Sequence, residues 1–239
     1  MSDEQGFTRL QSEQVRKTVA SLRARIDARF EHPGLGRVAH QLEETVPQVQ
    51  AGFNQSRTRV RRTRLLARLV IVVIVLAVLV ALAVTLRDAF TSGPQHSFDW
   101  LPLVESAINN VVFAAIAVLF LWALPERLER RTLLGLLHRL RSLAHVVDMH
   151  QLAKDPEQVS RNYEPTPKSP PHTLTADQLH HYLDYCSELL SLVAMTAALC
   201  AEHTSDPVVL ATVSDLETLT AEMSQKIWQK IALLAGSRS

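Results

Sequence analysis

Eighteen consecutive residues without a charge, Leu69 to Leu86 (LVIVVIVLAVLVALAVTL), follow directly on a block of arginines. A helix rises about 1.5 Å per residue and a hydrocarbon core is roughly 30 Å thick, so this run is long enough to cross a bilayer. A soluble core helix of that length would carry a polar stripe; only Thr85 interrupts here, and its hydroxyl can bond back to its own helix. A cleaved signal is excluded by the long polar stretch before the run and by the lack of a small-residue cleavage site after it. Valine and isoleucine dominate the run, and lipid favours a helix even from such residues because every backbone group must be satisfied internally.

A second run, Ser106 to Leu124 (SAINNVVFAAIAVLFLWAL), ends with Trp122 near its boundary and Pro125 opening the next segment. Arg57, Arg59, Arg61, Arg62, Arg64 and Arg68 precede the first run, and Arg127, Arg130 and Arg131 follow the second. Between them, Asp88 to Leu103 holds neither Lys nor Arg. The positive-inside rule then places both termini in the cytoplasm, and the cell inner membrane is the expected location. The short segment TSGPQHSFDWLP is rich in turn residues and too small to fold as an outer domain.

The formal net charge of +1 conceals an asymmetry: residues 1–68 hold thirteen Lys and Arg against seven Asp and Glu, while residues 132–239 hold eight against twelve. The basic excess lies beside the first run, where anionic head groups attract it. Cys186 and Cys200 are too far apart along one helix to be bonded within it and read as small apolar core residues. No metal-binding, phosphate-loop, dinucleotide or nucleophile-elbow motif occurs, so neither a catalytic centre nor a cofactor is expected.

Helical periodicity organises the remainder. Leu10, Val15, Val19, Leu22, Ile26 and Phe30 form one stripe; HPGLG at 32–36 breaks it; Val38, Leu42, Val46, Val49 and Phe53 form a second, with a possible kink at Pro47. Nothing punctuates QSRTRVRR, so this second helix is expected to run unbroken into the first span. Beyond the second span, Leu133, Leu136, Leu137, Leu140, Leu143, Ala144 and Val147 share one face of a helix starting at Pro125 and ending at Asp155–Pro156. Four of the eleven prolines fall in the linker 157–172. A capping box at Thr175 and Gln178 opens a helix with Leu179, Tyr182, Leu183, Cys186, Leu189, Leu190, Val193, Ala197 and Cys200 inward and His181 and Tyr185 outward. Asp206 and Pro207 open its partner, with Leu210, Val213, Leu216, Met223, Ile227, Ile231 and Leu234 as the stripe. This αα-hairpin has one apolar seam and should pack on other helices.

The fold class expected is therefore an all-α membrane protein with two transmembrane helices and a cytoplasmic bundle formed by N-terminal helices and a C-terminal αα-hairpin. Its segments are 1–64, a span at 65–87, a short loop at 88–103, a span at 104–124, a continuing helix at 125–155, a linker at 156–172 and the hairpin at 173–235.

Two groups of residues are candidates for function. Glu105, Asn109 and Asn110 are polar residues in the outer half of the second run; Glu105 and Asn109 lie one helical turn apart, in line with Val112, Phe113 and Ile116, with Phe120 one turn further on. Intramembrane polar groups face a bundle interior or a water-filled path, or else sit at head groups and hold helices together. As a pore lining, this face would offer a polar outer mouth and an apolar inner constriction able to dewet, within an oligomer of at least four copies. The other group, His138, Arg139, Arg141 and His145, lies within a few turns of the second span, as Arg61, Arg62, Arg64 and Arg68 lie near the first. The stripe reads as solvated or subunit-facing, or as a switch or anionic-ligand site that the arginines near the first span would join, those arginines otherwise serving the membrane surface. His145 and Asp148 are spaced to pair, with no nucleophile or third metal ligand beside them, which leaves a membrane enzyme as the weakest reading.

Two short spans, cytoplasmic termini, helical cytoplasmic parts and stretches such as LAHVVDMHQLAKDP and LHHYLDYCSELLSL give the chain a layout that resembles the small two-span membrane effectors of bacterial antiviral defence, the Hailong type among them. What that resemblance implies is a homo-oligomeric channel, a tetramer as the expected state, that depolarises the cell under the control of a nucleotide or oligonucleotide regulator. The competing reading is a non-conducting tether whose C-terminal hairpin binds a protein partner.

Overall fold

In the computed structural model, residues 10–30, 33–92, 101–159, 163–164, 166–169, 174–202 and 204–236 are described. Among them every regular element is helical: α1 (Ser12–Arg29), α2 (Pro33–Ser92), α3 (Leu101–Leu152), a 3₁₀ turn at Pro156–Val159, α4 (Ala176–Ala201) and α5 (Pro207–Gly236). The segment 93–100, expected as the tip of the loop, lies outside the described residues.

The chain divides into two compact units, residues 1–53 with 132–239, and residues 54–131. The first is a helical bundle with one contiguous core. Val19, Leu22 and Ile26 of α1, Leu42 and Val46 of α2, Leu137 and Leu140 of α3, Leu183 and Leu190 of α4, and Ile227 and Leu234 of α5 are all buried in it. Nearly all of the inward stripes expected from periodicity are found buried, because a helix whose apolar residues recur every three or four positions can remove them from water on one face only.

Helix starts follow local chemistry. Thr175 Oγ1 accepts from the Gln178 amide at 3.2 Å while the Gln178 side chain accepts from the Thr175 amide at 2.9 Å, closing the capping box. Asp206 Oδ1 accepts from the Val208 and Val209 amides at 2.9 and 3.3 Å, with Pro207 in the first helical position, where it has no N–H to leave unsatisfied. Pro47 and Pro125 both lie inside continuous helices. Pro125 thus does not open a new helix: α3 continues through it, and the ring costs the Leu121 carbonyl its usual donor four residues on.

Two expectations for the hairpin are corrected. The α5 seam runs through Val209, Val213, Leu216, Thr220, Met223 and Ile227, and Leu210 is exposed. One residue is about 100° of helix, so Val209 rather than Leu210 stays in phase with the later positions. Thr220 is tolerated in the seam because its hydroxyl donates to the Leu216 and Glu217 carbonyls. Tyr185, expected outward, is buried and meets Phe30 edge to face at 6.2 Å. The α4 helix is covered on more than one side: α5 packs on one face and α1 on another, so its seam is wider than a two-helix hairpin would need.

Polar contacts tie the bundle helices together. Arg23 of α1 bonds Glu43 of α2 at 2.9 Å; Arg25 of α1 pairs with Glu188 of α4 and lies over the Tyr185 ring. The Lys230 ammonium of α5 donates to the Gln151 and Lys154 carbonyls at 2.9 and 3.3 Å. It thereby holds the chain where it leaves α3, adding a donor to the Gln151 carbonyl, which also accepts from the Lys154 amide at 3.1 Å, and one to the Lys154 carbonyl just beyond the helix. At the start of α2, a Cβ added to Gly34 would stand 3.0 Å from His150 Cε1, so a glycine lets the two helices approach.

Candidate functional site

Among the described residues, three helices are long and apolar enough to cross a membrane: Leu65–Val84, Ile108–Leu152 and Ala176–Ala201. Their surroundings differ sharply. The most apolar window of the first is 0 % buried and that of the second 6 %, whereas 67 % of the window in α4 is buried.

Within the second unit, Glu105, Asn109, Val112, Phe113, Ile116 and Phe120 all occur on α3, at spacings of three and four except for the adjacent Val112 and Phe113, and are all exposed. Their exposure is shared by other faces of the same helix: Leu119 is 64 % and Trp122 70 % exposed, against 70 % for Phe113. What distinguishes the Glu105 face is therefore its polar pair and not its accessibility. At the other end of the same stretch, Ala67, Arg68, Ile71, Leu121, Trp122, Pro125 and Glu126 line a cleft of about 320 Å³ between α2 and α3. Sequence reading singled out Arg68 and Trp122 separately; it had no means of pairing them with Glu126, because the register of two antiparallel helices is not written in either one.

Of the expected anion-binding arginines, Arg68 is described and exposed; Arg61, Arg62 and Arg64 fall on the helical backbone of α2, and their side chains lie outside the described residues. In the bundle unit, His138, Arg139, Arg141 and His145 are exposed along α3. The Arg139 guanidinium donates to Gln48 Oε1 of α2 at 3.0 Å, a neutral partner that leaves its charge uncompensated. Among the described residues no carboxylate pairs with Arg139 or Arg141. The His145–Asp148 pairing allowed by spacing is not formed: Asp148 accepts instead from the Gln151 amide at 2.7 Å. A buried amide one turn along the helix holds the carboxylate more firmly than an exposed ring can.

Burial pushes the Cys200 thiol up to about 12 and raises that of Cys186 further. Both are buried and free, so neither offers a thiolate nucleophile. Tyr182 is likewise raised by burial.

These features define an all-helical protein carrying helices with the length and apolarity of membrane spans, two of them bare and one folded into a bundle. No known protein family, curated protein or solved structure matches the chain.

Proposed function

We propose that the chain is a two-span membrane protein with both termini in the cytoplasm, assembling as a homo-oligomer, a tetramer as the expected state, around a gated ion path. The observation that carries this reading is the face of α3 on which exposed Glu105 and Asn109 lead to Phe113, Ile116 and Phe120, in a unit whose apolar windows are almost wholly unburied. Apolar surface on that scale needs a non-aqueous cover, and polar groups within it are stable where they face one another or water. The α4 helix is taken as bundle core because most of its apolar window is already covered.

Regulation is assigned to the bundle. Exposed Arg139 and Arg141, uncompensated by carboxylates, support an anionic nucleotide or oligonucleotide as the signal, acting through helices that carry on toward the spans. Such a ligand shifts a gate only if it binds the closed and open states unequally. The resemblance in layout to two-span antiviral effectors such as the Hailong type supports membrane depolarisation as the outcome.

Planar-bilayer recording of the purified chain, with and without single-stranded oligonucleotides, tests the reading. Ligand-sensitive steps of conductance are expected, and Arg139→Gln with Arg141→Gln should weaken the ligand effect and flatten its salt dependence. A monomeric mass in mild detergent, or silence in the bilayer, would remove the channel. The second reading, a tether for a protein partner, draws on exposed Met195, Leu210, Trp228 and Leu233 on α4 and α5, and would stand if the chain proved membrane-bound but non-conducting.

A further inference from the structure

The cleft at the end of the paired apolar stretches has a chemistry of its own. It is lined by one cation, Arg68, one anion, Glu126, the Trp122 indole, and a short apolar floor from Ala67, Ile71 and Leu121. Arg68 and Glu126 are both exposed and form no ion pair with each other, although opposite charges sharing a cleft of about 320 Å³ would ordinarily close on one another. Pro125 supplies a third feature. Lacking an N–H, it removes the i+4 donor from the carbonyl of Leu121, another residue of the lining.

The cleft therefore presents a donor cation and a carboxylate acceptor, beside an indole of the kind that sits at the bilayer interface. A phosphodiester carrying a primary ammonium matches that pair: the phosphate takes the Arg68 guanidinium, and the ammonium donates N–H bonds to the Glu126 carboxylate. A choline group carries the same charge but has no N–H to give. A glycerol head group lacks the cation.

We propose that this cleft is a binding site for the head group of phosphatidylethanolamine in the inner leaflet, with its acyl chains lying along the exposed apolar faces of the two spans. The assignment rests on the reading of Leu65–Val84 and the apolar part of α3 as membrane spans.

Native mass spectrometry of the full chain in mild detergent, titrated separately with phosphatidylethanolamine, phosphatidylcholine and phosphatidylglycerol, tests it. The ethanolamine lipid should bind about tenfold more tightly than the choline lipid, the value of a hydrogen bond to a charged group. Glu126→Gln should reduce that preference to near parity while choline-lipid binding is kept, and Arg68→Gln should weaken both. Burial of Cys186 and Cys200 against thiol reagents, unchanged in each variant, shows that the bundle remains folded. Equal binding of the two lipids, or a preference that survives Glu126→Gln, overturns the proposal. Soluble phosphoethanolamine that competed as well as the lipid would also overturn it, by making the ligand a free metabolite. Extraction of vesicle-bound protein with alkaline carbonate separates the two levels. Release into the supernatant refutes the spans themselves; retention without ethanolamine preference refutes the head-group site alone.

Discussion

Leu140→Ala probes how firmly the bundle holds α3. Leu140 is fully buried, in a core shared by all five helices, and has no polar contact to confuse the outcome. Truncating a leucine at such a site costs the transfer free energy of the lost carbons plus a cavity term, together about 3 kcal/mol. Two native reporters read that loss without any label. Cys186 and Cys200 are buried, free and held as thiols by desolvation, so an aromatic disulfide reagent reaches them only when the bundle opens. When reclosing is faster than reaction, the labelling rate follows the opening equilibrium, and a loss of about 3 kcal/mol accelerates it about a hundredfold. Leu233→Ala, which removes a side chain that is 66 % exposed on α5, is the control and should leave the rate close to that of the parent. Equal labelling rates for the parent and Leu140→Ala would refute a single cooperative core, as would thiols that react at once in the parent.

Three further outcomes are expected. Thr175→Ala removes the side-chain half of the capping box, the bond from the Gln178 amide to the Thr175 hydroxyl, and should lower bundle stability by about 1 kcal/mol, read as a shifted urea midpoint at unchanged slope, with Thr175→Ser restoring most of it. His150 has its pKa lowered, by burial first and then by the charges of Arg37 and Lys154. On acidification through the ordinary histidine range the unfolded chain therefore takes up its proton before the folded one does, and stability falls until the folded form also protonates. Thermal melts between about pH 7 and about pH 5, a range that spans the usual histidine pKa, should show a smaller decline for His150→Gln than for the parent; identical slopes would show that His150 is not the group responsible. Phe113→Ala widens and wets the face proposed as the gate and should raise the resting conductance in planar bilayers, whereas an unchanged resting current would take Phe113 out of the constriction.

Much of the helical architecture is determined by local pattern. Length and apolarity identify Leu65–Val84 and the apolar part of α3 as candidate spans, and three-and-four periodicity picks out the inward residues of the bundle helices before any packing is known. The starts of α4 and α5 are equally local, since Thr175 with Gln178, and Asp206 with Pro207, satisfy the first amides of their helices from neighbouring positions. Which surface a side chain meets is a different kind of fact. Tyr185 is buried because Phe30 and Arg25 of α1 cover it, and α4, apolar enough to be taken for a span, is a core helix because α1 and α5 enclose it. Leu210 gives way to Val209 because a seam tolerates only one phase, set by the helix opposite. The cleft that joins Arg68 to Trp122 and Glu126 depends on the register of α2 against α3. Each of these unites residues far apart in the chain, and periodicity within one helix carries no information about the stagger or rotation of another: that is decided only when side chains from both must fill the same space.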